Sequence, residues 1–170
     1  MQGESILERE GGCGGTTPTN RRASTASLKL DRITYQELKM PKLSILCVDD
    51  EVIILNSLLR QLQAAFGDRY VYETSENAEE ALEILEELQE EEVGVIVIVS
   101  DWLMPGMKGD EFMIEVHKKF PNVVKILLTG QADEAAVERA KEQANLHRYL
   151  QKPWSEQELI ACIQEGLKKI

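Results

Sequence analysis

Five short apolar segments alternate with longer segments of helical periodicity between about Leu43 and Ile170. The apolar segments are LSILCV, YVYET, VGVIVIVS, VVKILLT and RYLQ. Such runs predict strands, and strands that alternate with helices form parallel sheets. The third run has no polar face, as expected when helices cover both sides of a sheet. The alternation therefore predicts an α/β fold with a doubly wound, five-stranded parallel sheet.

Helix signals occupy the segments between these strands. Apolar residues recur at helical spacing before Gly67, which suits a helix C-cap. A second apolar series follows Ser75, the expected N-cap, and the acidic residues between positions 76 and 92 are interpreted as its solvated face. Ser155 and Glu158 form a capping-box pattern ahead of the last helix.

Residues 1–39 have a different composition, rich in Gly, Ser, Thr and Arg, with no apolar periodicity. Such a segment cannot bury enough apolar surface to offset the entropy of ordering, so we predict a disordered N-terminal extension. The folded domain is predicted at residues 40–170. Met40 is also an alternative start of translation.

Several classes of protein are disfavoured by composition. A net charge of −11 argues against direct nucleic-acid binding, which usually needs a basic patch. No apolar run approaches the ~20 residues of a membrane helix, and no secretory signal begins the chain. The three cysteines, Cys13, Cys47 and Cys162, form neither a disulfide framework nor a zinc motif. We therefore expect a cytoplasmic protein without membrane insertion.

Polar residues stand where four of the predicted strands end. Asp49 and Asp50 follow the first strand, and Asp101 follows the third. Thr129 ends the fourth strand, and Lys152 follows the fifth. Open parallel sheets bind ligands beyond the carboxyl ends of their strands, so we expect these side chains to meet at one edge. Because Mg²⁺ prefers oxygen ligands and offsets the repulsion between carboxylates, the sequence predicts a magnesium site there.

These residue types suit phosphoryl transfer, which needs a positioned nucleophile and neutralisation of the charge on the phosphoryl oxygens. Asp101 is the candidate nucleophile. Lys152 and the cation would neutralise charge, and the Thr129 hydroxyl could donate to a phosphoryl oxygen. Gly130 would leave the pocket open.

A series of short motifs runs through the predicted domain in a fixed order. The motifs are Asp49-Asp50, the segment DWLMPGMKG with Asp101, Met104, Pro105 and Gly109, then Thr129-Gly130, and finally Lys152-Pro153. On these motifs, the chain from about Leu43 to Ile170 resembles the receiver domain of a two-component response regulator. The resemblance implies the flavodoxin-like strand order 2-1-3-4-5.

The resemblance also implies roles for the site residues. Asp101 is expected to accept a phosphoryl group from the phosphohistidine of a sensor histidine kinase or a phosphotransfer protein. Asp49, Asp50, Asp101 and the backbone carbonyl of Leu103 are expected to bind Mg²⁺. The protein is then a phosphoacceptor regulator and not an enzyme, since it catalyses only its own phosphorylation and dephosphorylation.

Signal output is expected from a switch that the resemblance assigns to Thr129 and Tyr149. Phosphorylation would alter the surface of the fourth helix, fifth strand and fifth helix, which an unknown downstream protein or a second copy in a phosphorylation-dependent dimer could recognise. The chain ends at Ile170 without a following effector module. We therefore expect either a single-domain regulator or a receiver separated from a larger protein.

Two alternative functions remain open on the sequence alone. The first is a phosphorylation-independent interaction module on the same fold, although degenerate receivers usually lack an acidic or lysine position that is present here. The second is an aspartyl-phosphate phosphohydrolase of the haloacid-dehalogenase type. That class expects a second acid two residues after the nucleophile, where this chain has Leu103.

Overall fold

The five predicted strands form one parallel sheet. The computed structural model describes residues 42–130 and 134–170. The strands are β1 (Leu43–Val48), β2 (Val71–Ser75), β3 (Gly94–Asp101), β4 (Val124–Thr129) and β5 (Arg148–Gln151). Their order in the sheet is β2-β1-β3-β4-β5, and every neighbouring pair is parallel. The predicted fold class and strand order are confirmed.

Helices cover both faces of this sheet. They are α1 (Val52–Phe66), α2 (Ala78–Glu90), α3 (Gly109–Lys119), α4 (Glu134–Ala144) and α5 (Glu156–Leu167). Apolar side chains of α1 and α5 pack on one face, and those of α2, α3 and α4 pack on the other. The sheet therefore separates two apolar cores, as a doubly wound fold requires.

Side chains that point alternately to the two faces of each strand contribute to both cores. In β1, Ile45 and Cys47 pack on the α1 and α5 side, whereas Leu46 and Val48 pack on the opposite side. All four side chains are fully buried. Successive strand residues point to opposite faces, so a strand covered on both sides must be apolar throughout. This explains the runs without a polar face, and it makes Cys47 a core residue.

The helix ends match two of the three predicted caps. Gly67 ends α1 with a positive φ of 58°, and Ser155 with Glu158 forms a capping box at α5. The prediction of Ser75 as the N-cap of α2 is wrong, because Ser75 belongs to β2. The cap is Asn77, whose side-chain oxygen accepts a hydrogen bond from the backbone N–H of Glu80 at 2.8 Å.

Two further predictions concern the N-terminal extension and membrane insertion. The predicted disordered extension at residues 1–39 lies outside the described residues. Among the helices of the described ranges, none is long and apolar enough to cross a membrane.

A buried lysine lies in β4, away from the carboxyl ends of the strands. Lys125 is fully buried, and its ammonium donates to the backbone carbonyl oxygens of Val123 at 2.9 Å and Pro121 at 3.4 Å. Burial lowers the pKa of this ammonium to about 8. The unfolded chain, with an ordinary lysine pKa, therefore binds more protons between about pH 8 and 10.5, so this residue makes stability rise with pH in that window.

We predict that the Lys125→Met variant gains stability relative to the parent at neutral pH and loses that advantage in alkali. The cost of charging Lys125 in the folded state is about 3 kcal/mol at pH 7 and less than about 1 kcal/mol at pH 10. Urea unfolding of both proteins at the two pH values measures the difference. The exposed Lys118→Met variant is the control and should show no such change. An equal difference between parent and Lys125→Met at both pH values contradicts the prediction.

Candidate functional site

Three aspartates converge at the carboxyl ends of the neighbouring strands β1 and β3. Carboxylate oxygens of Asp49, Asp50 and Asp101 all lie within 4.8 Å of one another. The parallel register pairs Val48 with Ser100, so the residues that follow these two positions emerge side by side. Asp49 is fully buried, Asp101 is 6% exposed and Asp50 is exposed. The cluster is thus buried on the side of Asp49 and Asp101 and open to solvent on the side of Asp50.

Lys152 joins this cluster from the end of β5. Its ammonium lies 2.8 Å from Asp49 Oδ2 and 3.0 Å from Asp101 Oδ1. Its backbone N–H donates to the carbonyl oxygen of Thr129 at 2.7 Å, which fixes the start of the side chain beside β4. Burial alone lowers the pKa of Lys152, but its hydrogen bonds to the two carboxylates outweigh that and raise the pKa above its usual value. The ammonium is therefore firmly charged.

The electrostatics of Asp101 reflect one cation shared between two carboxylates. Burial raises the pKa of Asp101, and the Asp49 charge raises it further. Hydrogen bonds from Lys152 and the Trp102 backbone N–H oppose this, but the net pKa stays above the usual value for an aspartate. Asp49 also accepts the backbone N–H of Glu51 at 2.9 Å. Because Lys152 supplies one positive charge and three carboxylates meet here, the cluster carries surplus negative charge.

Glycines give the loop after Asp101 its shape. A Cβ atom at Gly109 would lie 2.1 Å from the carbonyl oxygen of Asp101 and 2.8 Å from the Cα of Trp102. No other residue type could approach the phosphoacceptor candidate this closely. Gly106 has a positive φ of 81°, which most L side chains rarely adopt. The presence of Gly109 in the motif thus has a steric basis.

The remaining predicted site residues lie around the cluster. Thr129 is buried at the end of β4, and Leu103 is 63% exposed. Tyr149 lies in β5, is 42% exposed, and has the Lys141 ammonium 5.8 Å from its ring centroid. The Tyr149 ring therefore lies beside α4.

A third buried carboxylate, near the site, could not be predicted from the sequence. Asp110, in the first turn of α3, is fully buried and accepts the indole N–H of Trp102 at 3.1 Å. It also accepts a hydrogen bond from Arg139 of α4 in an ion pair. The sequence offered no signal for this contact, because an acid in a first helical turn is usually explained by the helix dipole. Trp102 itself is half-buried.

The donor set of the cluster fits Mg²⁺. Carboxylates are oxygen ligands suited to a hard cation, and Mg²⁺ ligands lie about 2.0–2.1 Å from the ion, which places opposite oxygens about 4 Å apart. The spread of 4.8 Å among the three carboxylates is compatible with a shared ion after small adjustments. The exposure of Asp50 leaves a path for the waters that Mg²⁺ retains.

Comparison with known proteins agrees with this arrangement. The family model for the response regulator receiver domain matches residues 45–164. The chain belongs to this family. It is thus a receiver domain of two-component signalling, a family of generally non-enzymatic domains that bind Mg²⁺ through an acidic cluster and partner with histidine kinases. The predicted resemblance is confirmed.

Individual relatives place this domain in larger proteins. The hydrogenase transcriptional regulatory protein HoxA of Cupriavidus necator is 32% identical over 125 residues, covering 74% of this chain and 24% of that protein. The sensor kinase CckA of Brucella abortus is 32% identical over 126 residues, covering 74% of this chain and 13% of that protein. The chain spans about a quarter or less of these relatives, so their activities as whole proteins do not transfer to it.

A solved structure agrees with the sequence relatives. The signal receiver domain of an HD domain-containing protein from Pseudomonas fluorescens is 28% identical with a TM-score of 0.67. The match covers 76% of this chain and 97% of that one. The similarity thus extends over nearly the whole of a known receiver domain.

We predict that Asp50→Asn weakens Mg²⁺ binding by about tenfold or more, because it removes the exposed carboxylate of the cluster. Titration with Mg²⁺ while recording the tryptophan fluorescence, to which Trp102 next to Asp101 contributes, measures the affinity. Glu51→Gln is the matched control, since it removes the neighbouring exposed acid that does not belong to the cluster. Equal affinity in Asp50→Asn and the parent would place the cation elsewhere.

Proposed function

We propose that this receiver domain is a phosphorylation-dependent signalling switch in which Asp101 accepts a phosphoryl group. The observation that carries the proposal is the position of the Asp101 carboxylate, at a strand end, 3.0 Å from the Lys152 ammonium and within the three-aspartate cluster. A nucleophile, a fixed cation and a divalent-metal donor set meet at this point. Phosphoryl transfer requires these three components.

The transfer step uses Asp101 as the nucleophile. A carboxylate oxygen attacks the phosphorus of a phosphohistidine, so that an O–P bond forms while the P–N bond breaks and the imidazole keeps its electron pair. Asp49, Asp50, Asp101 and the carbonyl of Leu103 would hold Mg²⁺, which when bound would neutralise charge on the phosphoryl oxygens. The fixed ammonium of Lys152 stabilises the same charge.

Thr129 completes the phosphoryl pocket. It lies at the carboxyl end of β4, between the strands that carry Asp101 and Lys152. Its hydroxyl can donate to one phosphoryl oxygen. A Cβ added at Gly130 would meet nothing within 4 Å among the described residues, so Gly130 leaves room for the incoming group.

Exposed apolar side chains near the cluster suit docking of the phosphodonor protein. Val52 and Ile53, 50% and 80% exposed, begin α1 directly after the acidic residues. Leu103 follows Asp101 by two residues and is also exposed. Apolar contacts around a charged centre would hold the phosphohistidine of a sensor histidine kinase or phosphotransfer protein against Asp101. Because phosphohistidine is formed from ATP, we place the protein in the cytoplasm.

Output follows from Thr129 and Tyr149. Drawing Thr129 toward the phosphoryl group vacates space at the end of β4, which the exposed Tyr149 ring can enter. The surface of α4, β5 and α5 then changes, and a downstream protein or a second copy of the domain can recognise the change. The phosphoryl group shifts this equilibrium by its difference in affinity for the two states.

We predict that the parent gains one phosphoryl group from acetyl phosphate with Mg²⁺ and that Asp101→Asn gains none, because the amide is not a nucleophile for this step. Intact-mass spectrometry measures the product. Asp68→Asn, an exposed aspartate outside the cluster, is the control and should label like the parent. Full labelling of Asp101→Asn rejects this phosphoacceptor. A parent that never labels favours the alternative of a phosphorylation-independent interaction module.

We predict that Thr129→Ala still accepts the phosphoryl group but transmits it poorly to Tyr149, because the hydroxyl that follows the phosphoryl group is gone. Amide NMR with beryllofluoride as the phosphoryl mimic should show smaller shift changes around Tyr149 and in α5 than in the parent. Thr74→Ala, on the edge strand β2, is the control. Shift changes as large as in the parent would mean that this coupling does not exist.

A further inference from the structure

Asp110 is a buried carboxylate that holds two elements at once. Its Oδ1 accepts the indole N–H of Trp102 at 3.1 Å, and its Oδ2 accepts the guanidinium of Arg139. The Asp110 side chain is fully buried, whereas that of Arg139 is 45% exposed. A buried carboxylate is costly unless its oxygens remain paired. The orientation of the indole and the position of Arg139 are therefore tied to a single side chain.

Trp102 connects this carboxylate to the phosphoacceptor candidate. It follows Asp101 directly, and its backbone N–H donates to the Leu128 carbonyl at 2.8 Å. Its own carbonyl accepts the N–H of Gly109 at 2.8 Å, and the Lys108 ammonium lies 5.6 Å from its ring centroid. Both the backbone and the ring of Trp102 are thus attached to the start of α3. A displacement beside Asp101 must therefore reach the first turn of that helix.

Helix α4 stands at the other end of this connection. It packs against α3 and carries Arg139, which reaches Asp110. Two residues later, Lys141 lies over the exposed ring of Tyr149 in β5. One helix is therefore connected through Asp110 to Trp102, the residue beside the phosphoacceptor, and through Lys141 to the proposed switch residue. An element that contacts both places is a physical candidate for coupling them.

We propose that Trp102, Asp110 and Arg139 form a bridge that transmits occupancy of the Asp101 site to α4, by a route separate from Thr129. The inference rests on the proposed function of Asp101 and adds Asp110 and Arg139 to it as positioning residues. When the segment at Trp102 moves, Asp110 must follow, because losing the indole would leave a buried carboxylate oxygen without a donor. Arg139, and α4 with it, then moves as well.

The experiment records amide and indole NMR shifts in the full chain on addition of Mg²⁺ and beryllofluoride. The first variant is Arg139→Gln, chosen because the partly exposed side chain can be replaced without filling or emptying the core. We expect the indole signal of Trp102 to respond as in the parent, while the shift changes in α4 are largely lost. Lys118→Gln, which removes an exposed ion pair of α3 with Glu115, is the control and should respond like the parent.

A second variant changes Asp110, the residue that joins Trp102 to Arg139. Asp110→Asn keeps an oxygen acceptor for the indole but removes the charge that holds Arg139, so the α4 response should again be lost. The double variant should lose no more than either single variant, because both act through one interaction. A double variant that loses clearly more of the α4 response than either single variant overturns the proposal.

The outcomes separate this inference from the function on which it rests. A parent that responds to beryllofluoride, together with an Arg139→Gln variant whose α4 response is intact, overturns the bridge alone. The bridge is also overturned when Arg139→Gln lowers the melting temperature but leaves the α4 response unchanged, since the ion pair is then only structural. A parent with no response at Asp101 overturns the proposed function and the bridge with it.

Discussion

The Lys152 ammonium between Asp49 and Asp101 is the interaction on which the site depends. Two carboxylates on neighbouring strand ends repel each other, and their burial makes the charged forms costly. Lys152 satisfies one oxygen of each, at 2.8 and 3.0 Å, from the far side of β4. This contact requires β1, β3 and β5 to be parallel and in register, so the charge cluster and the sheet topology depend on each other.

The negative charge at this edge of the sheet is only partly compensated, and the remaining charge gives the site its chemistry. One ammonium faces three carboxylates, and Asp50 is exposed to water. A fully neutralised cluster would have little affinity for a further cation, whereas a surplus of negative charge favours one. The steric limit at Gly109 keeps the following loop close to Asp101. The fold therefore presents an acid that is held firmly in place and still needs a positive partner.

Much of this arrangement could be predicted because it follows from periodicity and from the geometry of parallel sheets. The bounds of β1 and β5 agree with the predicted segments, and the residues at the strand ends meet where such sheets bind ligands. The predicted cap at Ser75 is wrong because propensity cannot separate the last residue of a strand from the residue before a helix. The contact of Asp110 with Arg139 depends on how α3 packs against α4, and no periodicity encodes that packing.

The two buried acidic centres of the described residues differ in charge balance, and this difference suggests different roles. Asp110 has one guanidinium and one indole donor for one carboxylate, so it has no unmet demand for a cation. A balanced buried group moves as a unit, because separating its members would leave desolvated polar groups without a partner. The cluster at Asp101 is unbalanced and can accept a ligand. Trp102, bonded to both regions, stands where a charge change at the first can become a displacement at the second.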